Sequence, residues 1–225
     1  MKKLKIFTII FCTFLLVSCY AKEFLLVDPV FNIQNYGIRK VLFLGFENHY
    51  KTEAPTKIKT RLENSLFDKF KKLDLVDIVK IDKDEALLYP TYTEKDFITL
   101  AKKYDTNIIV IGYIEDYKEL KYIDQPLTKF TDNNYNSLGL SDPNVKNLVR
   151  YDISLSGKFN IINSNADILW THKINDVKSI QFETTPNDLS TENEVNVYAK
   201  VRESLIESVS DDIIKDLIPY YSYKY

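Results

Sequence analysis

The order of apolar and polar positions predicts alternating strands and helices in the first half of the chain. The first apolar run, 41–46, is continuous, which is typical of a strand covered on both faces. Apolar residues then recur every four positions over 58–70 and predict an amphipathic helix. A short strand over 75–81, a helix that begins after an N-cap at Thr93, and a strand over 108–114 follow. This alternation predicts parallel strands joined by right-handed crossovers.

The second half changes to the period of strands with one solvent-facing side. Apolar and polar residues alternate over 149–161, and the Asn-rich stretch 163–166 predicts a turn. The strand that returns from the turn is expected to place four side chains on one face: Ile168, Trp170, His172 and Ile174. A helix over 192–217 ends before Pro219. We therefore predict one α/β domain with a mixed sheet of about five strands in the order 2-1-3-4-5, packed by two or three helices and ending in a long amphipathic helix.

A polar insert, 121–147, separates the two halves and is rich in Asn, Asp and Pro. A loop of this length is expected to be disordered or to contact a partner. Its segment 132–136 offers oxygen ligands at the first positions of a calcium loop, but Ser137 replaces the required glycine and Pro143 the bidentate glutamate. We therefore predict no metal site there. The whole α/β domain is expected to span 38–219.

The N-terminus carries the pattern of a secretory signal over 1–18, with three lysines before a short apolar run. The sequence Leu-Val-Ser-Cys that ends at Cys19 resembles the lipobox of bacterial lipoproteins. That resemblance implies cleavage between Ser18 and Cys19 and acylation of the cysteine, which would anchor the chain to a membrane. Residues 19–37 are predicted to form a tether and 220–225 a tail.

The composition argues against several classes of function. Removing the signal takes away three lysines and no acids, so the formal net charge moves from -2 to -5 and offers no basic footprint for nucleic acid. With Cys12 removed and Cys19 acylated, no thiol remains for a disulfide, a nucleophile or a metal. The five glycines are too scattered to build a phosphate-binding loop, so no nucleotide cofactor is expected.

Two constellations could carry chemistry. Trp170 and His172 share a strand face, but nothing supplies a serine elbow for the histidine to activate, so His172 is interpreted as a semi-buried strand residue. Glu47 follows the first strand and Glu115 with Asp116 follows the third, so these carboxylates are expected near each other at the carboxyl edge of the sheet. A glycan hydrolase built on them is the less favoured alternative to a non-enzymatic role.

Several segments resemble the lipopolysaccharide-assembly lipoprotein family (LptE). Residues 39–48 resemble its strand ending in Phe-Glu-Asn, 111–117 its Gly-x-Ile-x-Asp-Tyr strand, and 151–170 its hairpin ending in Ile-Leu-Trp. The helix that follows Thr93 departs from that family. It is more similar to the curli-secretion lipoproteins (CsgG), the activators of penicillin-binding proteins (LpoB) and the TolB amino-terminal domain. The polar insert lacks the alternating pattern of a membrane hairpin, which disfavours a curli-type pore.

These resemblances imply a lipid-anchored accessory protein of the cell envelope that binds another envelope protein. The expected partner is an outer-membrane β-barrel or transport component, or alternatively a penicillin-binding protein. The expected location is the outer membrane, facing the periplasm, and a surface-exposed antigen is the other alternative. Four positions are the candidates for interaction: Glu47, Asn48, Tyr113 and Trp170.

Overall fold

A computed structural model of the protein describes residues 24–32, 38, 40–48, 56–73, 76–89, 91–124, 147–184 and 191–223. These residues form one α/β domain with seven strands and four helices. In chain order the elements are β1 (Phe24–Val27), β2 (Lys40–Asn48), α1 (Thr56–Lys72), β3 (Asp77–Lys80), α2 (Lys83–Ala86), α3 (Glu94–Tyr104), β4 (Ile108–Asp124), β5 (Asn147–Asn163), β6 (Ile168–Thr184), α4 (Thr191–Lys215) and β7 (Tyr220–Tyr223). The signal peptide, Ser18 and Cys19 lie outside the described residues.

The main sheet has five strands in the order β3-β2-β4-β5-β6. β2 pairs parallel with both β3 and β4, whereas β4, β5 and β6 are joined by antiparallel pairing. The predicted mixed sheet is confirmed. When its strands are numbered without β1, which lies outside this sheet, they have the predicted order 2-1-3-4-5.

The sheet is covered differently on its two faces. On one face, called here the α1/α4 face, helices α1 and α4 bury the larger core. Its fully buried members include Phe43, Leu62, Phe70, Phe159 and Leu205. On the opposite face, called the α3 face, a smaller core packs α3 against β2 and β4. The predicted N-cap of α3 is confirmed as a capping box, in which Thr93 and Asp96 exchange side-chain and backbone hydrogen bonds.

One bulge in β2 and one in β4 reset the alternation of these two strands. In β2 the register shifts between Phe43 and Gly45, and Gly45 adopts a φ of 87°, which a residue with a Cβ rarely adopts. The bulge places Phe46 in the α1/α4 core and turns Glu47 toward α3. In β4 a shift between Ile114 and Asp116 has a similar effect, since Ile114 and Tyr117 both join the α1/α4 core.

Strands β4, β5 and β6 are each 17 residues long, which is longer than predicted. The polar insert predicted over 121–147 is wrong at its two ends, because 121–124 complete β4 and residue 147 begins β5. The β4 bulge hides this extension, since it shifts the phase of the apolar positions. The rest of the predicted insert lies outside the described residues.

The predicted row of side chains at the start of β6 is wrong at one position. Ile161 of β5 lies opposite Trp170, but the next residue, Ile162, lies opposite Ile168, so Leu169 is an extra residue at a bulge. Ile168 is therefore not part of the row and is 59% exposed. Ile174 is buried and His172 half-buried, as predicted.

The predicted tether, 19–37, and tail, 220–225, are wrong in part. Phe24–Val27 pairs antiparallel with Tyr220–Tyr223 to form a separate two-stranded ribbon. Phe31 then enters the α1/α4 core at 6% exposure. A local pattern does not predict this pairing, because the two strands are almost the whole chain apart.

Candidate functional site

The carboxyl edge of β2 is the first candidate site. The Gly45 bulge directs Glu47 to the α3 face, where the side chain is buried at 9% exposure. A carboxylate oxygen of Glu47 accepts the backbone N–H of Tyr92, just before α3, over 2.7 Å. Glu47 thereby fixes the loop that leads into α3. Asn48, the last residue of β2, is exposed and lies opposite Ile114.

Two tyrosines, Tyr92 and Tyr113, lie near Glu47. Tyr92 stacks between Tyr89 and Phe97, with ring centroids 5.4 and 6.0 Å apart. Burial, followed by the charge of Glu47, raises the pKa of Tyr113 to about 12 and also raises the pKa of Tyr92. Both phenols therefore stay protonated at neutral pH and can act as hydrogen-bond donors but not as bases.

The three carboxylates expected near each other at the carboxyl edge, Glu47, Glu115 and Asp116, have different surroundings. Glu47 lies opposite Tyr113 in the parallel register, not opposite Glu115. Glu115 is exposed at the β4 bulge, and the neighbouring Asp116 forms an ion pair of 2.5 Å with Lys118. Glu47 is thus a buried backbone acceptor, while the other two acids face solvent or a lysine. Among the described residues, no group of three or more His, Cys, Asp or Glu side chains could hold a metal ion.

Trp170 and His172 form a junction at the start of β6. Trp170 is half-buried, and its ring stacks on Phe31 with centroids 6.0 Å apart. His172 Nδ1 lies 2.7 Å from a carboxylate oxygen of Asp216, just after α4, and the Phe31 N–H donates to the Asp216 carbonyl over 2.9 Å. These contacts join the segment after β1 to the sheet and to the end of α4. The imidazole is therefore part of a structural contact between three elements.

The sequence reasoning missed a third region, at the far end of the long strands. We call the end of β4–β6 near the 163–168 turn the proximal end and the end at Asp124, Asn147 and Thr184 the distal end. At about 3.3 Å per residue, the 17-residue strands separate these ends by roughly 55 Å.

Helix α4 covers the α1/α4 face of the distal strands through polar and aromatic contacts. Glu119 of β4 accepts two hydrogen bonds from the Arg202 guanidinium, each 2.7 Å long. Burial alone would raise the pKa of Glu119, but hydrogen bonds from Arg202 and Tyr117 outweigh it, so this pKa lies below its usual value. Tyr151 of β5 packs edge-on against Tyr198, with centroids 4.3 Å apart. The β4 bulge makes the Glu119–Arg202 contact possible, because it turns Glu119 toward α4.

The opposite face of the distal strands carries exposed apolar and charged side chains. Leu120 and Tyr122 of β4 are each 45% exposed, and Val177 of β6 is 54% exposed. The Arg150 guanidinium lies 5.6 Å from the Tyr122 ring centroid and pairs with both Asp152 oxygens at 2.8 and 2.6 Å. We call these five residues the distal patch. No helix within the described ranges covers it.

The signal for the distal patch is present in the sequence but is separated from the predicted strand. Leu120 falls between the predicted strand, 108–114, and the predicted insert, which begins at residue 121 and contains Tyr122. The phase shift at the β4 bulge interrupts the alternation that would join both residues to the strand. Arg150 was interpreted only as a solvent-facing polar position of the next strand.

Comparisons with known proteins find structural similarity at low sequence identity. No family model and no curated protein matches the chain. Among solved structures, it is similar to a hemagglutinin homolog from Helicobacter pylori at TM-score 0.46 and 12% identity over 87% of this chain and 92% of that one. It is also similar to a minor lipoprotein from Acinetobacter baumannii, at TM-score 0.33 and 13% identity over 78% and 87% of the two chains. The rare lipoprotein B from Shewanella oneidensis aligns at TM-score 0.28 and 11% identity, over 76% of this chain and 90% of that one.

At these levels of similarity, none of the three assigns an activity or a partner to this chain. Within the described ranges, none of the helices has the length and apolar character needed to span a membrane.

Proposed function

We propose that this protein is a non-enzymatic, lipid-anchored accessory protein of the cell envelope that binds another envelope protein through the distal patch. The proposal combines acylation at Cys19, expected from the sequence, with the exposed surface formed by β4, β5 and β6. The favoured partner is an outer-membrane assembly or transport component.

The composition of the distal patch is the main support for a protein partner. Tyr122 and Arg150 belong to the residue types that contribute most binding energy in protein interfaces. Leu120 and Val177 add apolar surface on the same sheet face, since rows of the antiparallel register place them on either side of β5. The Arg150–Asp152 pair holds the guanidinium against the tyrosine ring before any partner arrives, which lowers the entropic cost of binding.

The position of the distal patch relative to the N-terminus also supports this role. β1 begins five residues after Cys19 and pairs with β7, which follows the proximal end of α4. The β1–β7 ribbon and the distal patch therefore lie toward opposite ends of the long strands. The patch residues lie 9 to 14 positions from the proximal ends of their strands, so a protein held at a membrane by its proximal end would present the patch to partners roughly 30–46 Å farther out.

The surroundings of Glu47 and His172 support a non-enzymatic role. Each side chain binds another part of the fold: Glu47 the Tyr92 backbone and His172 the Asp216 carboxylate. A glycan hydrolase would need Glu47 available to a substrate, which would require the loop before α3 to release it.

The test is a crosslinking pull-down from intact cells, using a tag after Tyr225. We compare the native chain with a Leu120→Ser, Tyr122→Ser variant and with a Leu87→Ser, Leu88→Ser control, whose leucines are 81% and 74% exposed outside the patch. The expected result is one partner retained by the native chain and the control, and lost by the patch variant. Equal recovery with the patch variant would contradict binding through this surface.

The identity of the recovered protein separates the alternatives. An outer-membrane β-barrel or transport-bridge protein supports the favoured role, whereas a penicillin-binding protein supports activation of a cell-wall synthase. Recovery of no protein, together with digestion by protease added to intact cells, would support a surface-exposed antigen.

A further inference from the structure

The β1–β7 ribbon leaves apolar side chains exposed on both of its faces. Leu25 and Leu26 are neighbours in β1, so they point to opposite faces, and they are 48% and 57% exposed. Val30, which follows the ribbon, is 73% exposed. Isolated two-stranded ribbons are only marginally stable in water, so we expect a ribbon with exposed apolar groups on both faces to make a further contact.

The length of chain between the ribbon and Cys19 restricts what can cover this surface. Four residues, 20–23, separate Cys19 from Phe24. A fully extended segment of this length reaches about 17 Å, so acylation of Cys19 would hold β1 at the headgroup region or in the first layers of water above it. No other part of the described chain is tied so closely to the proposed anchor.

The composition of the ribbon is suited to a membrane surface. Three of the four residues of β7 are tyrosine, which is enriched where protein crosses the boundary between lipid and water. β1 contributes Phe, Leu, Leu and Val, and 24–32 contain a single charged residue, Asp28. Apolar and aromatic surface beside a lipid chain gives the second contact that orients an anchored protein on a bilayer.

We infer that the β1–β7 ribbon, with Val30, lies in the headgroup region of the lipid bilayer and orients the domain on the membrane. The inference rests on the proposed acylation of Cys19. The stack of Phe31 on Trp170 and the hydrogen bond from Phe31 to Asp216 transmit this orientation to the main sheet. Trp170 therefore acts as a positioning residue that fixes the ribbon against the domain, and the distal patch points away from the lipid.

Site-specific labelling of the acylated full chain tests this contact. Once Cys12 has left with the signal and Cys19 is blocked, an introduced cysteine is the only free thiol. Leu26→Cys and Val30→Cys receive a polarity-sensitive fluorophore in vesicles of phosphatidylethanolamine and phosphatidylglycerol. The matched controls are Val177→Cys and Leu88→Cys, because their native side chains have almost the same exposure, 54% and 74% against 57% and 73%.

The expected result is that lipids carrying a quencher near the headgroup quench the labels at 26 and 30 several-fold more than those at 177 and 88, while iodide in the water quenches them less. Equal quenching at all four positions, in protein whose acyl chains are verified by mass spectrometry, would overturn the membrane contact and leave the anchor intact. Absence of acyl chains on Cys19 would overturn the anchor and the contact together. Shielding of 26 and 30 from iodide without quenching by lipid would assign the ribbon to a protein partner or a second copy, which also overturns the inference.

Discussion

The proximal and distal parts of the main sheet use the same three long strands in different ways. Near the proximal end, both faces of the sheet are buried, and Phe159 of β5 lies between Phe46 and Phe70 in a dry core. Toward the distal end, α4 is the only element of the described residues that covers the sheet, and the contact includes the Glu119–Arg202 ion pair and tyrosine packing. The proximal part therefore provides most of the stability, and the distal part presents an exposed surface.

Substitution in the proximal core should have the largest effect on stability. Phe159→Ala removes a ring that is 0% exposed, and we expect a loss of about 3–5 kcal/mol in the free energy of unfolding. The matched distal change is Phe182→Ala, which removes a half-buried ring stacked 5.8 Å from Tyr151. Its expected cost is about 1–2 kcal/mol. Urea denaturation followed by circular dichroism measures both values, and equal losses would contradict the comparison.

Substitution at the Trp170 junction should have the next largest effect on the free energy of unfolding. Trp170→Ala is expected to cost about 2–3 kcal/mol, below the ~3–5 kcal/mol typical of a fully buried ring, because the indole is half-buried. Trp170→Phe retains an aromatic ring against Phe31 and should lose less than half of that amount. If both variants have the same urea midpoint of unfolding as the native chain, the junction contributes nothing to stability.

The sequence predicted the proximal part better than the distal part for a physical reason. Continuous apolar runs such as 41–46 and 108–111 are local signals of doubly covered strands, and they were sufficient for the sheet order. Bulges were not visible, although each one changes which face a side chain occupies. The bulge at Gly45 turned Glu47 into a backbone acceptor, and the bulge at Leu169 exposed Ile168. The β1–β7 pairing depends on contacts between distant segments, so no local pattern indicates it.

The ion pair under α4 should contribute less to the free energy of unfolding than the rings of Phe159 and Trp170. Glu119→Gln removes the charge that Arg202 binds, and we expect a loss of about 1–2 kcal/mol near neutral pH because both side chains are partly exposed. The control is Glu203→Gln, whose ion pair with Arg61 is about half exposed and should contribute less than about 0.5 kcal/mol.

The Glu119 contribution should also depend on pH. Because its pKa is lowered in the folded state, the stabilisation is complete above the ordinary value of 4.5 and is lost as the pH falls through the folded value. The stability difference between the native chain and Glu119→Gln should therefore shrink on acidification below about 4.5. A difference that stays constant between pH 7 and pH 3 would contradict this assignment.

Changes in the distal patch should have the smallest effect on stability. Tyr122→Ser and Leu120→Ser alter side chains that are each 45% exposed. The free energy of unfolding, measured by thermal denaturation, should change by no more than about 0.5 kcal/mol. The same variants should lose the partner in the pull-down. Destabilisation by 2 kcal/mol or more would mean that these residues belong to the folded core and not to a binding surface.

The proposed function requires that the distal patch contact a partner protein in the cell. The most direct measurement places a photo-crosslinking amino acid at Tyr122 in intact cells, with Leu88, outside the patch, as the control position. We expect a discrete covalent adduct with one envelope protein at Tyr122 and none with that protein at Leu88. Adducts of equal yield at both positions, or an adduct at Leu88 alone, would contradict it.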